Sequence, residues 1–106
     1  MKTDFSFTRE DVLTVLNSIS DQLRMLGVER IGIFGSFARN EPAGQSDVDI
    51  LVEFEPNKRS YDNFIDVCFL LEDKLGRRVD VVTPEALSPY MKPAILREIR
   101  YVPLAA

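Results

Sequence analysis

The chain has 106 residues, of which 45% are hydrophobic, a composition typical of one folded domain with a single hydrophobic core. Its 17 acidic and 13 basic residues give a net charge of −4, which disfavours direct binding of nucleic acid because phosphate neutralisation dominates that affinity. Histidine is absent and Cys68 is the single cysteine, which excludes Ser-His-Asp and Cys-His catalysis, His-ligated metals, Cys-rich zinc sites and an internal disulfide. We expect one domain over residues 1–106 and, since no signal peptide or membrane span is visible, a cytoplasmic protein.

The first predicted element is a helix that begins after Thr8. Thr8 provides a hydroxyl N-cap, and Asp11 three residues later makes an aspartate variant of the capping box. Apolar residues then recur at helical spacing as far as Leu26, and Gly27 is a suitable C-cap. The pattern predicts one amphipathic helix that packs on the core by one face.

Two predicted strands follow, with a polar connection between them. Residues 28–34 form an apolar strand, residues 36–40 predict one or two helical turns, and residues 41–46 predict a loop. Residues 47–54 predict a second strand with clear alternation of side chains. If the two ends of the connection meet at one site, these strands are antiparallel.

The second half predicts a crossover and a helical C-terminus. Residues 61–75 predict a helix that ends at Gly76, and residues 79–82 predict a third strand parallel to the second. Thr83-Pro84 predicts the start of another helix, and a last helix is expected from residue 89 or 90 to residue 101. The expected fold class is α/β (α+β), with a small mixed sheet flanked by helices.

The turn after the first strand has the residues of a phosphate-binding site. Gly35 lets the backbone approach a bulky anion, and Ser36 offers a hydroxyl and free N–H groups at the start of a short helix. Arg39 lies one turn later, where it could reach a phosphate. Taken alone, the Gly-Ser pair is equally typical of an ordinary strand-to-helix turn, and Arg39 of a surface ion pair with Glu41.

The second strand carries two carboxylates on one face. Asp47 and Asp49 are two residues apart, and at about 4 Å their repulsion would be roughly 4 kcal/mol at an effective dielectric near 20. A nearby cation would relieve that repulsion, and magnesium takes carboxylate oxygens together with substrate phosphates. The alternative is a solvated face of an edge strand.

Asp80 is a charged residue within a strand of valines. If the third strand neighbours the second, Asp80 stands beside Asp49 and either binds metal or takes a proton from an attacking hydroxyl. The alternative is an ion pair with Arg77 or Arg78. A phosphate-binding turn that faces carboxylates is typical of metal-dependent phosphoryl or nucleotidyl transfer.

These motifs together resemble the minimal nucleotidyltransferases of the DNA polymerase beta-type superfamily. The matching residues are the stretch from Gly35 to Arg39, then Ser46-Asp47-Val48-Asp49, then Asp80. The resemblance implies that Gly35 and Ser36, with Arg39 and Ser46, hold the nucleotide. It also implies that Asp47, Asp49 and Asp80 form the magnesium and catalytic site.

The resemblance further implies a partner protein. Many short members of this family are antitoxins that transfer AMP from ATP to a tyrosine of a HEPN-domain toxin, so a hetero-oligomer is expected. One departure is Asn40, where the family usually has glycine; asparagine tolerates left-handed backbone angles better than most residues.

Two main hypotheses follow from the sequence. The first is a magnesium-dependent adenylyltransferase acting on its partner protein, and the second is an antitoxin that neutralises the toxin by binding alone. Transfer to RNA or to a small molecule is disfavoured, because the chain has no run of basic residues and no second domain to bind such a substrate.

Overall fold

The computed structural model describes residues 7–41 and 47–104, which form a four-stranded mixed sheet with helices against it. The strands are β1 (Val28–Phe34), β2 (Val48–Phe54), β3 (Val79–Val82) and β4 (Arg100–Val102). The helices are α1 (Arg9–Ser18), α2 (Ser20–Met25), α3 (Gly35–Ala38), α4 (Tyr61–Leu75) and α5 (Lys92–Glu98). The sheet order is β3-β2-β1-β4, with β1 antiparallel to β2 and β4, and β2 parallel to β3. The predicted fold class is confirmed, and so are the antiparallel pairing of β1 with β2 and the parallel pairing of β2 with β3.

The N-terminal helical segment is interrupted, so the prediction of one continuous helix was wrong. The Thr8 capping box is present, with the Asp11 carboxylate accepting from the Thr8 N–H at 2.8 Å. The break falls at Ile19, where the backbone leaves helical angles. The Ser18 hydroxyl donates to the Val15 carbonyl at 2.6 Å and thereby competes with the helical hydrogen-bond ladder.

The main hydrophobic core lies between one face of the sheet and helices α1 and α4. It is a set of fully buried aliphatic side chains that includes Val12, Leu16, Ile31, Ile33, Ile50, Val52, Val67 and Leu71. The other face is covered in part by α5, where Ile95 packs with Phe34 and Leu51. Strand β2 is therefore a central strand buried on both faces, and the edge-strand alternative for it is excluded.

The C-terminus differs from its prediction. The expected helix from residue 89 or 90 to residue 101 is replaced by the shorter α5 and by strand β4, because Ile99 has an extended backbone. Gly32 of β1 permits this pairing, since a Cβ there would lie 2.8 Å from Ile99 Cγ1 and 3.0 Å from the Arg100 carbonyl. The helix expected after Thr83 is a single 3₁₀ turn over Pro84–Ala86.

Helix α4 is the longest helix and has the predicted bounds. Ser60 caps its first turn by accepting from the Asn63 N–H at 3.1 Å, and Gly76 ends it in a left-handed conformation at φ 67°.

Over residues 7–41 and 47–104, no helix combines the length and the apolar character needed to cross a membrane.

Candidate active site

The Gly35 turn packs directly against the acid of β2. Gly35 has a φ of +73°, a value that side chains other than glycine rarely adopt. A Cβ at this position would also collide with the carboxylate of Asp49. Glycine is thus required here both by the turn and by the close approach of the turn to Asp49.

Helix α3 ends in a Schellman motif centred on Asn40. The Asn40 N–H donates to the Phe37 carbonyl at 3.0 Å, and the Glu41 N–H donates to the Ser36 carbonyl at 2.8 Å. Asn40 has a φ of 60°, the left-handed conformation that glycine adopts most readily. Asparagine in place of glycine at position 40 therefore keeps the turn.

The sheet aligns the predicted acids side by side. Asp49 is opposite Phe34, the residue before Gly35, on one side and opposite Asp80 on the other. Asp49 is partly buried, whereas Asp80 and Asp47 are exposed. The juxtaposition of Asp80 with Asp49 that the sequence predicts is confirmed as a strand register.

Asp49 is held in an unfavourable electrostatic environment. Burial, followed by the charges of Asp80, Asp47 and Glu98, raises its pKa from 3.8 to about 6, and Arg39 opposes the change. At neutral pH the folded protein therefore keeps a carboxylate ionised against its neighbours. A divalent cation would stabilise that charge.

Arg39 lies between two carboxylates. Its Nη1 donates to Glu98 at 2.9 Å, and its Nε is 3.4 Å from Glu41. The hydrogen bond and charge of Glu98, with a contribution from Glu41, raise the pKa of the guanidinium. The surface ion pair with Glu41 is thus present, and it shares Arg39 with a second acid that the sequence did not indicate.

Glu98 is the residue of this site that sequence reasoning missed. It lies at the end of α5, yet its Oε2 accepts from the Gly35 N–H at 2.7 Å, across 63 residues of chain. Because a helix was predicted through residue 101, Glu98 was not recognised as a residue of the site. The β-favouring residues that follow, Ile99 to Val102, are the signal that could have placed a strand there and turned Glu98 toward β1.

Two other predicted details have different outcomes. Ser36 is partly buried in α3, next to Gly35, whereas Ser46 lies outside the described residues.

The arginines considered as ion-pair partners of Asp80 have other contacts. The nearest acid to Arg78 among the ion pairs is Asp47, at 4.0 Å, and Arg77 packs over the rings of Phe7 and Phe37. Neither contact involves Asp80.

The chemistry of the acid set suits magnesium. In the part of the chain that the structure describes, no three acidic side chains converge into a ready-made metal site. The donors on the neighbouring strands are carboxylate oxygens, the ligands that magnesium prefers. A cation beside Asp49 would offset the burial and the like charges that raise its pKa, so the chemistry of Asp47, Asp49 and Asp80 fits this metal.

Comparison with known proteins identifies the family of the chain. A family model described as a nucleotidyltransferase domain matches residues 14–102. Protein adenylyltransferase MntA of Thermococcus cleftensis is 42% identical over 96 residues, which cover 90% of this chain and 96% of the relative.

Solved structures agree with this assignment. A minimal nucleotidyltransferase is 34% identical, with a TM-score of 0.68 over 87% of this chain and 95% of that one. A toxin-antitoxin structure with AMP-PNP shares the fold at 17% identity, with a TM-score of 0.61 over 81% of this chain and 73% of that one. The chain belongs to the nucleotidyltransferase domain family, and it is an enzyme with the fold of the minimal nucleotidyltransferases.

Proposed function

We propose that this protein is a cytoplasmic, magnesium-dependent adenylyltransferase that moves AMP from ATP to a tyrosine of a cognate HEPN toxin and thereby neutralises it. The observation that carries the proposal is the packing of the Gly35 turn against Asp49, with Asp80 opposite Asp49 on the next strand. This arrangement brings the candidate triphosphate site and the candidate metal ligands to one end of the sheet.

Each residue has a distinct role in the proposed reaction. Asp47 and Asp49 hold magnesium, which supplies charge stabilisation to the phosphates. Gly35 and Ser36, with Ser46, hold the triphosphate, and Arg39 contributes positive charge beside it. Asp80 borders the attacking hydroxyl or shares the metal, as its place beside Asp49 allows.

The transfer is an in-line displacement at the α-phosphorus of ATP. The tyrosine oxygen forms a bond to that phosphorus, the bond to the bridging oxygen breaks, and pyrophosphate leaves with the electron pair. If Asp80 borders the attacking hydroxyl rather than sharing the metal, the phenolic proton passes to its carboxylate, which is exposed and therefore accessible to a substrate.

The relatives support a protein substrate. The Thermococcus relative is named a protein adenylyltransferase, and the chain covers nearly all of its length. The neighbour with AMP-PNP is a toxin-antitoxin structure, which supports ATP as the donor and a toxin as the partner. We therefore expect the protein to act within a hetero-oligomer.

A second function, neutralisation by binding alone, is favoured by a different observation. Several large side chains are exposed, including Tyr61, Phe69 and Tyr90, with exposed fractions of 78%, 67% and 94%. Such side chains are enriched at protein interfaces. A binding antitoxin would use such exposed side chains without needing Asp47 or Asp49.

The two functions are separated by co-expressing the chain with the protein encoded beside it. The purified partner is incubated with ATP and magnesium, and its intact mass is measured with wild type and with the double variant Asp47→Asn, Asp49→Asn. A gain of whole AMP units with wild type alone supports transfer. A stable complex with a neutralised partner and unchanged mass overturns transfer in favour of binding.

A further inference from the structure

We infer that Glu98 is a positioning residue of the nucleotide site: its carboxylate holds the Gly35 turn and Arg39 in the arrangement that receives the triphosphate. The inference rests on the proposed nucleotide site and names a residue of that site outside the Gly-Ser and aspartate motifs. Glu98 acts through the two groups that it fixes, and it does not contact the reacting atoms.

Both oxygens of the Glu98 carboxylate are engaged within the fold. Oε2 accepts from the Gly35 N–H at 2.7 Å, and Oε1 accepts from Arg39 Nη1 at 2.9 Å. The side chain is 25% exposed. Charge-assisted hydrogen bonds of this length are roughly twice as strong as neutral ones, so Glu98 restrains both partners.

The sheet fixes the position of Glu98. Arg100 is opposite Ile33 in the pairing of β4 with β1, which leaves Glu98 two residues further toward Gly35. Gly32 gives Ile99 room to pack on β1, and Ile95 is buried one turn earlier in α5. Packed residues before and after Glu98 in the chain thus hold its carboxylate in place.

The same carboxylate sets the orientation of Arg39. Glu98 binds Nη1 and Glu41 lies near Nε, so two of the three guanidinium nitrogens have acidic partners on different sides. A planar guanidinium held at two nitrogens has a fixed plane before substrate arrives. Such pre-organisation lowers the entropy lost when a phosphate binds.

The opposite role would be competition, in which the carboxylate occupies the donors that a phosphate needs. The two roles predict opposite signs for nucleotide affinity. Removal of a positioning residue weakens binding of Mg·ATP, whereas removal of a competitor strengthens it. The partial burial of Glu98 and its fixed place between Ile95 and Arg100 favour positioning.

The test uses Glu98→Ala and the isosteric Glu98→Gln, with Glu41→Ala as the matched control. Glu41 is also a carboxylate partner of Arg39, whereas the Gly35 N–H donates to Glu98. Hydrogen exchange of the Gly35 amide is followed by NMR without nucleotide, and KM and kcat for Mg·ATP are measured with the partner protein.

We expect Glu98→Ala to speed exchange of the Gly35 amide about ten- to a hundredfold, while Glu41→Ala leaves it unchanged. KM for Mg·ATP rises about tenfold with little change in kcat, because a restrained ground-state contact is lost. Glu98→Gln restores much of the protection of the Gly35 amide, since its amide oxygen still accepts from Gly35, but less of KM, because its NH2 group cannot accept from Arg39 Nη1.

Unchanged or tighter Mg·ATP binding in Glu98→Ala overturns the inference, the latter by showing competition. Unchanged exchange of Gly35 overturns it as well, because the hydrogen bond would then not restrain the turn. If wild type binds no Mg·ATP while its Gly35 amide is protected by Glu98, the proposed nucleotide site itself fails, and the role of Glu98 fails with it.

Discussion

Neighbouring residues of β2 belong to two regions with opposite energetics. Ile50 is fully buried in the core beneath α1 and α4, where contacts are apolar and burial is favourable. Asp49, one residue earlier, is opposite Asp80, and burial followed by the charges of Asp80, Asp47 and Glu98 raises its pKa to about 6. The core stabilises the fold, whereas the site keeps a partly buried carboxylate among like charges, which a bound cation would stabilise.

The largest expected effect is on catalysis. Asp49→Asn keeps the shape of the side chain but removes a charge that would hold magnesium. We expect the rate of AMP transfer to fall on the order of a thousandfold, equal to about 4 kcal/mol of transition-state stabilisation. The measurement is single-turnover labelling of the partner, and activity within tenfold of wild type would count against the metal site.

The core provides the corresponding effect on stability. Leu16→Ala removes a fully buried side chain and should lower the free energy of unfolding by about 3 kcal/mol. Leu96→Ala is the control, because Leu96 is 46% exposed and should change stability by less than about 0.5 kcal/mol. Urea unfolding measures both, and equal effects would contradict the assigned core.

Because the charge of Asp49 is unfavourable in the folded state, we expect Asp49→Asn to stabilise the fold even though it damages catalysis. Without divalent cations at pH 8, Asp49→Asn should raise the free energy of unfolding by about 1 kcal/mol, after allowance for partial exposure. The folded pKa of Asp49, about 6, lies above its ordinary 3.8, so ionisation destabilises the folded state.

The pH dependence of that gain has a definite sign. As pH falls from 6 to below 4, Asp49 takes up its proton in the folded protein first and then also in the unfolded chain, so the advantage of Asp49→Asn disappears. Urea unfolding at pH 8 and pH 4 measures it. An advantage that grows toward low pH would refute the assigned repulsion.

The smallest expected effect is at the end of α3. Asn40→Gly should stabilise the protein by about 0.5 kcal/mol, because glycine adopts the left-handed conformation of Asn40 without steric penalty. Asn40→Ala is the matched comparison and should destabilise. Thermal unfolding of the two variants should bracket wild type, and a destabilised glycine variant would show that the asparagine side chain has another role.

Local patterns predicted most of the elements that form the site. The Thr8 cap, Gly76 and the alternation around Asp49 are short-range signals, and each gave the observed element. The parallel direction of β2 and β3 followed from the rule for crossover connections, and the pairing of Asp49 with Asp80 was predicted on the condition that these strands are neighbours. These predictions succeeded because each depended on neighbouring residues or on a general rule of topology.

The features that were missed depend on distant contacts. Residues 99–102 become a strand because β1 offers an unpaired edge and Gly32 leaves space for Ile99, and neither condition is visible locally. Glu98 enters the site as a consequence of that pairing. The break at Ile19 is a different case, because it lies beside a local hydrogen bond from the Ser18 hydroxyl to Val15 that helical periodicity does not report.

The most direct test of the link between repulsion and function is ligand-dependent stability. Wild type and Asp49→Asn are unfolded thermally with magnesium and a non-hydrolysable ATP analogue, together and separately. We predict that the pair stabilises wild type by about 2.7 kcal/mol at a hundredfold excess over the dissociation constant and has little effect on Asp49→Asn. Equal stabilisation of both proteins, or full stabilisation by the analogue without magnesium, would contradict the role of Asp49 as a metal ligand.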